Sequence, residues 1–145
     1  MQSHRLLILA GLLIGITGCA LKPPPWAGGW KKAQAPPETA LVYFFRPRSP
    51  VATAVSADVQ DNAVNLGTLS DGTYFVYHAR PGTHAFMLIT NSVAIQPLRA
   101  RAGMTYYLRG RLEQIGSHYP PHLTMVSPLE GQAAIRHLER LDYGE

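Results

Sequence analysis

Short runs of β-branched and aromatic residues follow one another along most of this chain, with turn residues about every eight to ten positions. This spacing is typical of the strands of antiparallel sandwiches and barrels. We therefore expect a mostly β protein, a small antiparallel β-sandwich of about seven to eight strands. The predicted strands are Thr39–Arg46, Ala54–Gln60, Ala63–Leu69, Thr73–Ala79, Thr83–Thr90, Val93–Arg101, Met104–Leu112 and His122–Ser127.

The turn Arg80-Pro81-Gly82-Thr83 separates two of these predicted strands. Proline presets φ at the second turn position and glycine accepts a positive φ at the third, which is the chemistry of a type II turn. Type II turns splay the strands of a hairpin. We therefore expect a corner here, where the chain crosses from one sheet to the other.

The C-terminal segment changes from strand to helix patterning. Ser127-Pro128-Leu129-Glu130 combines a capping-box pattern with proline at the first helical position. Ala134, Leu138 and Leu141 then fall on one helical face. We expect one C-terminal α-helix, over about residues 128–141, that packs this face on the sandwich. The alternative is a helix that docks on a partner.

The N-terminus has the pattern of a secretory signal. A basic start is followed by the apolar run Leu6–Ile16, which is too short to span a membrane because a spanning helix needs about 20 apolar residues. The exit Ile16-Thr17-Gly18-Cys19 resembles the lipobox of bacterial lipoproteins. The resemblance implies that Cys19 receives a diacylglycerol (and later acyl chains such as palmitate), and that residues 1–18 are a signal peptide cleaved after Gly18.

Two alternatives remain for this segment: an ordinary signal peptide, or an apolar N-terminus of a cytosolic protein. Ala20 follows the cysteine. By analogy with bacterial lipoproteins, such a residue permits export to the outer membrane, where the protein would face the periplasm. The expected location is therefore the bacterial cell envelope.

Residues 19–38 have almost no periodicity and are rich in proline and glycine, so we interpret them as a tether between lipid and domain. Trp26 and Trp30 either lie in the lipid headgroup layer, with Lys31 and Lys32 near phosphates, or act as spacers or dock on the domain. Residues 39–145 then form one domain, the sandwich with its helix.

Composition limits the chemistry of this domain. Cys19 is the only cysteine, so its acylation leaves no thiol for a disulfide, a metal or catalysis. The formal net charge of +4 falls to +3 when the signal peptide with Arg5 is removed. This excess is too small to indicate a nucleic-acid partner.

Four segments carry a family resemblance: Ala40–Pro47, Gly67–Phe75, Pro81–His84 and Ala102–Leu108. They resemble the bacterial domain of unknown function family 2846, over about Thr39 to Ser127. Turn glycines and core aromatics dominate these motifs, so they specify the fold better than any chemistry. The resemblance implies a small envelope lipoprotein, and it supplies no catalytic residues.

The chain shows no pattern typical of an active site. No Gly-x-Ser-x-Gly elbow occurs, and we expect no enzyme activity and no cofactor. His118 and His122 are four residues apart, but the intervening prolines prevent a shared helical face. His78 and His84 flank the Pro81-Gly82 turn. We interpret the first pair as solvated and the second as structural, and we predict no metal site.

A group of four arginines and one tyrosine is the candidate binding site. Alternation places Arg99 and Arg101 on one face of their strand, and Tyr107, Arg109 and Arg111 on one face of the next. If the two strands pair across a loop near Gly103, all four arginines share an outer face. Such a face suits phosphates or carboxylates, which guanidinium groups bind in a bidentate manner. The alternative is a solvated face with Arg99 stacked on Tyr107.

These features predict a membrane-anchored periplasmic lipoprotein, a non-catalytic binding or assembly module of the bacterial envelope. Its expected partners are the membrane, through the lipid, and an envelope protein, peptidoglycan or anionic lipid. The alternatives are a protein that binds peptidoglycan or lipopolysaccharide, and a periplasmic hydrolase. A hydrolase would require a concave pocket with converging polar groups.

Overall fold

The computed structural model describes residues 33–143, which form nine strands and one helix. In chain order these are β1 (Ala40–Arg46), β2 (Ala57–Asp61), β3 (Val64–Leu69), β4 (Thr73–Ala79), β5 (Gly82–Ile89), β6 (Val93–Ala100), β7 (Thr105–Leu112), β8 (Pro121–Val126), α1 (Pro128–Ile135) and β9 (Glu139–Arg140).

The strands form two sheets that pack around one apolar core, so the predicted mostly β sandwich with a C-terminal helix is confirmed. The five-stranded sheet has the order β8-β7-β1-β4-β9, and the four-stranded sheet has the order β3-β2-β5-β6. Most neighbours are antiparallel, but β1 pairs with β7, and β4 with β9, in parallel. The parallel pairs exist because the chain crosses between the sheets several times before returning to an earlier strand.

The eight predicted strands all occur, with small shifts at their ends. The largest shift is in β2, which begins at Ala57 although the pattern predicts Ala54. The reason is the buried side chain of Arg46, which donates hydrogen bonds to the carbonyls of Ala52 (2.6 Å) and Val55. These bonds hold the residues before Ala57 in a loop, so the strand begins later than predicted.

The predicted corner between β4 and β5 is confirmed, because β4 belongs to the five-stranded sheet and β5 to the four-stranded sheet. Gly82 is the first residue of β5 and has φ of 142°, a backbone conformation that residues with a side chain rarely adopt. The chain thus changes sheets over Arg80 and Pro81 without a hairpin.

Strand β1 is the centre of the core, and all seven of its residues are buried. Val42 and Phe44 face the other sheet, where Phe44 makes an edge-to-face contact with Phe86 at 5.1 Å between ring centroids. Alternation turns Tyr43 and Phe45 to the opposite face of the same sheet. That face must also be covered, because these side chains are almost fully removed from solvent.

Helix α1 covers this second face. The ring of Tyr43 stacks between two others, with ring centroids 5.0 Å from Tyr107 and 6.3 Å from Tyr74. Helix α1 lies on Tyr107. Gly131 permits the close approach, since a Cβ atom at this position would lie 2.3 Å from Cγ of Tyr107. The helix therefore packs on its own domain, as expected, but the predicted face of Ala134, Leu138 and Leu141 is wrong: the buried residues of α1 are Gly131 and Ile135, and Leu138 and Leu141 lie beyond its end.

The predicted N-terminus of α1 is confirmed, and its predicted C-terminus is wrong. Ser127 caps the helix by accepting a hydrogen bond from the backbone of Glu130 at 3.2 Å. The helix ends at Ile135, and the segment predicted to continue it to Leu141 instead joins the sheet. Leu141 donates its N–H to the carbonyl of Tyr74 at 2.8 Å, which a helix would not allow.

No helix within residues 33–143 is long and apolar enough to cross a membrane.

Gly131→Ala is expected to destabilise the domain by about 1–3 kcal/mol, because the added methyl group overpacks against Tyr107. The sign is diagnostic, since alanine in an ordinary helix interior is better than glycine by about 1 kcal/mol. Urea unfolding measures the difference. Ala133→Ser on the exposed side of α1 is the control, and equal or greater stability of Gly131→Ala would contradict this packing.

The stability of the domain is expected to fall as the pH rises above 10. Burial raises the pKa of Tyr43, Tyr74 and Tyr107 above the ordinary value of 10.0, and for Tyr43 a backbone hydrogen bond from Ala33 partly opposes the rise. The unfolded chain therefore ionises first, and each tyrosine costs up to about 1.4 kcal/mol per pH unit until its folded pKa is reached.

Urea unfolding at pH 8, 10 and 11 measures this loss. The double variant Tyr43→Phe/Tyr107→Phe should show a shallower dependence of the unfolding free energy on pH. Identical slopes for the variant and the unaltered protein would contradict the assignment.

Candidate functional site

The predicted arginine face is divided between two sheets. Arg99 points outward from β6 in the four-stranded sheet, and Arg101 follows in the exposed connection. Arg109 and Arg111 lie on β7 in the five-stranded sheet, on the face that also carries α1. The predicted pairing of these two strands is therefore wrong, and the four arginines do not share a face.

The connection between β6 and β7 explains the difference. Residues 101–104 carry the chain from one sheet to the other, and Gly103 and Met104 bond to the backbone of Thr39 and Leu41 (2.8 and 2.9 Å). These bonds start the parallel pairing of β7 with β1. Tyr107 is thereby buried under α1, only 1% exposed, so neither binding at its surface nor the alternative stacking with Arg99 is possible.

Arg109 and Arg111, the two predicted arginines on β7, line a cleft of about 640 Å³. One wall is the end of β7 and the residues after it. The other wall is the connection from β1 to β2, which adds a third arginine, Arg48. The lining residues are Pro47, Arg48, Ser49, Pro50, Val51, Arg109, Arg111, Leu112, Glu113 and Gln114.

The buried guanidinium of Arg46 holds the second wall in place. Its bonds to Ala52 and Val55 close the connection into a compact loop, and Asp71 lies 3.7 Å away. Asp71 also accepts a hydrogen bond from the backbone of Ser49 at 3.0 Å. Burial lowers the pKa of Arg46, and the charge of Asp71 opposes this effect. The connection from β1 to β2 is thus held at Ser49, Ala52 and Val55.

The charges that line the cleft are unequally compensated. Arg109 forms an ion pair with Glu130 at the start of α1, and Glu113 lies 3.2 Å from His122. Arg48 and Arg111 form no ion pair within the part of the chain that the structure describes. Two exposed positive charges therefore face the cleft without an acidic partner, which makes it attractive to anions.

A second polar cluster lies inside the domain, at the corner between β4 and β5. His84 is buried and stacks flat on Phe86, with Nδ1 at 2.6 Å from Oδ2 of Asp61 and Nε2 at 2.7 Å from the carbonyl oxygen of Arg80. Tyr77 also donates to Asp61 at 3.3 Å. Both imidazole nitrogens are occupied by the protein itself, so this cluster ties the corner to β2.

The other predicted histidines are at the surface. His78 is exposed on β4, His118 lies 3.4 Å from Asn91, and His122 is half-exposed beside Glu113. Within residues 33–143, no three histidine, aspartate or glutamate residues converge in a way that could hold a metal ion. The structural interpretation of His84 agrees with its contacts.

Sequence reasoning missed Arg46 and Arg48. Arg46-Pro47-Arg48 directly follows the most apolar run of the domain, and a cation at the end of a fully buried strand is the signal that was available. The predicted lipidation residue Cys19 and the recognition residues Ile16, Thr17 and Gly18 lie outside the described residues, as do the tether tryptophans.

A family model described as "Protein of unknown function (DUF2846)" matches residues 36–121, more than half of the chain. No curated protein matches the chain. The matched range contains both walls of the cleft and the whole Asp61–His84 cluster.

Arg46→Met is expected to reduce the free energy of unfolding by about 2–4 kcal/mol, since it leaves two buried carbonyls and Asp71 without their cation. Hydrogen exchange at the amides of residues 47–56 should accelerate. Arg48→Met, an exposed change two residues away, should stay within about 0.5 kcal/mol. Unchanged unfolding and exchange in Arg46→Met would show that the loop does not depend on Arg46.

Proposed function

The chain belongs to the DUF2846 family of proteins of unknown function, and on this premise we propose that it is a lipid-anchored, non-catalytic binding module of the bacterial cell envelope. Cys19 carries the anchor, the domain faces the periplasm from the outer membrane, and the arginine cleft receives an anionic partner. The observation that carries the binding part is that Arg48 and Arg111, neither of them ion-paired within residues 33–143, line the same cleft.

The anchor is supported by the sequence alone. Ile16-Thr17-Gly18-Cys19 has the order of a lipobox, and this cysteine is the only one in the chain. The Pro- and Gly-rich segment after it offers reach, because a proline-rich chain extends by about 3.1 Å per residue. An anchored domain of this kind can meet partners in the periplasm while it remains on the membrane.

The cleft supports binding without chemistry. Guanidinium groups bind anions but remain protonated, so they neither accept protons nor act as nucleophiles. The buried pair Asp61–His84 resembles part of a hydrolase triad only in composition, because Nε2 of His84 faces the carbonyl of Arg80 and not a hydroxyl group. His122 beside the cleft contacts Glu113, again not a hydroxyl group.

Peptidoglycan and lipopolysaccharide are the alternative partners, since both present anionic groups to the periplasm. Retention of the protein on purified cell-wall sacculi, lost on replacement of Arg48 and Arg111, would identify peptidoglycan. A periplasmic hydrolase remains the runner-up and requires turnover of a cell-wall or lipid substrate by the purified protein.

Cys19→Ala is expected to move the protein from the membrane fraction to the soluble fraction of cells. The thiol is the group that accepts the diacylglycerol, and the variant lacks it. Immunoblots of fractionated cells and metabolic labelling with palmitate measure the change. Ala27→Ser, a neutral change in the tether, is the matched control and should leave both results unaltered.

Equal membrane retention of Cys19→Ala and absence of palmitate label in the unaltered protein would overturn the anchor. Turnover of a wall or lipid substrate would overturn the non-catalytic assignment.

A further inference from the structure

We propose that Arg48 and Arg111 together bind a phosphate group across the cleft. This inference deepens the proposed function, on which it rests for the envelope as the source of the ligand. It assigns the ligand by charge and shape, from residues on both walls.

The charges of the cleft favour an anion. Arg109 forms an ion pair with Glu130, and Glu113, 3.2 Å from His122, is the one acidic residue of the lining. Arg48 and Arg111 are left as two positive charges without an acidic partner within residues 33–143. A phosphate monoester carries about 1.5 to 2 negative charges near neutral pH, and a single carboxylate carries one. A phosphate group therefore matches both arginines at once.

The two arginines belong to different segments of the chain and line the same cleft. Arg111 lies at the end of β7, and Arg48 lies in the connection after β1. A carboxylate is planar and presents two oxygens, whereas a phosphate monoester presents three terminal oxygens in a tetrahedral arrangement. The three oxygens can accept hydrogen bonds from both walls together.

The loop that carries Arg48 is fixed by contacts within the domain. The side chain of Arg48 lies over Gly72, where an added Cβ atom would be 2.9 Å from Cγ and 3.2 Å from Nε of Arg48. The backbone of the neighbouring Ser49 is bonded to Asp71, and Arg46 closes the loop from inside. A loop that is already held in place loses less entropy on binding, so the arrangement favours affinity.

The cleft is larger than a phosphate ion and leaves room for the group that carries it. Pro47, Pro50, Val51 and Leu112 supply an apolar part of the lining, and Gln114 supplies an amide. The shared chemistry is a phosphate on an organic body, and in the envelope this body is either a lipid headgroup or a phosphorylated soluble molecule or glycan.

The test is a titration of the full-length protein in a non-ionic detergent, followed by calorimetry and by amide chemical shifts. The probes are inorganic phosphate, glycerol phosphate, acetate, and mixed micelles of the detergent with or without phosphatidic acid. Arg48→Ala/Arg111→Ala should weaken phosphate binding at least about tenfold, since a charge-assisted hydrogen bond is worth about tenfold or more. Acetate should bind at least about tenfold more weakly than phosphate.

Arg99→Ala/Arg101→Ala is the matched control. It removes the same charge from exposed positions on and after β6, outside the cleft, and should change the dissociation constant less than twofold. Melting curves check that both variants fold. Arg48→Lys/Arg111→Lys keeps the charge without the planar fork and should restore only part of the affinity.

Equal loss of affinity in the two alanine pairs would show attraction by net charge alone and overturn the site. Unchanged binding in Arg48→Ala/Arg111→Ala, or acetate binding as tight as phosphate, would also overturn it. Binding of glycerol phosphate without binding of phosphatidic acid in the micelles assigns the phosphate to a soluble or glycan source, and binding of both assigns it to a lipid headgroup. Phosphate binding with a soluble location in cells would overturn the anchor and leave the cleft assignment intact.

Discussion

The buried guanidinium of Arg46 is the interaction on which the arrangement of this domain depends. A charge this far from solvent is tolerated only where its hydrogen bonds are made; here two loop carbonyls accept them, and the carboxylate of Asp71 lies 3.7 Å away. The same contacts set three features: the late start of β2, the shape of the loop after β1, and the wall of the cleft. A single buried cation thus connects the core of the sheet to the surface that we propose binds a ligand.

The local patterns of the sequence predict the strands well because side-chain alternation and turn residues act over a few positions. They also predict the crossing at Arg80–Gly82, where proline and glycine restrict the backbone directly. They fail at Gly103, where an equally short connection joins strands of different sheets. The outcome there depends on the backbone of Thr39 and Leu41, more than 60 positions earlier, and no local pattern reports such a contact.

The candidate site shows the same limit. Alternation alone places Arg109 and Arg111 correctly on one face of β7. Arg48, which lines the same cleft, comes from a loop that is distant in sequence, and the grouping of Arg99 with them requires a pairing of β6 with β7 that does not exist. The end of α1 is a further case. The backbone N–H groups of Glu139 and Leu141 donate to carbonyls at the edge of β4, so this segment joins the sheet although the sequence has a helical periodicity there.

The central position of β1 has a mechanical consequence. The chain enters the sheet through this strand, which is seven residues long and is bonded along its length to β4 on one side and to β7 on the other. A pull transmitted from a membrane anchor would load both ladders in shear, so several bonds would have to break together. The strand leads directly into the loop that carries Arg48. Force between the proposed anchor and a ligand held by Arg48 and Arg111 would therefore pass through β1 and β7, which are neighbours in one sheet, and leave the second sheet unloaded.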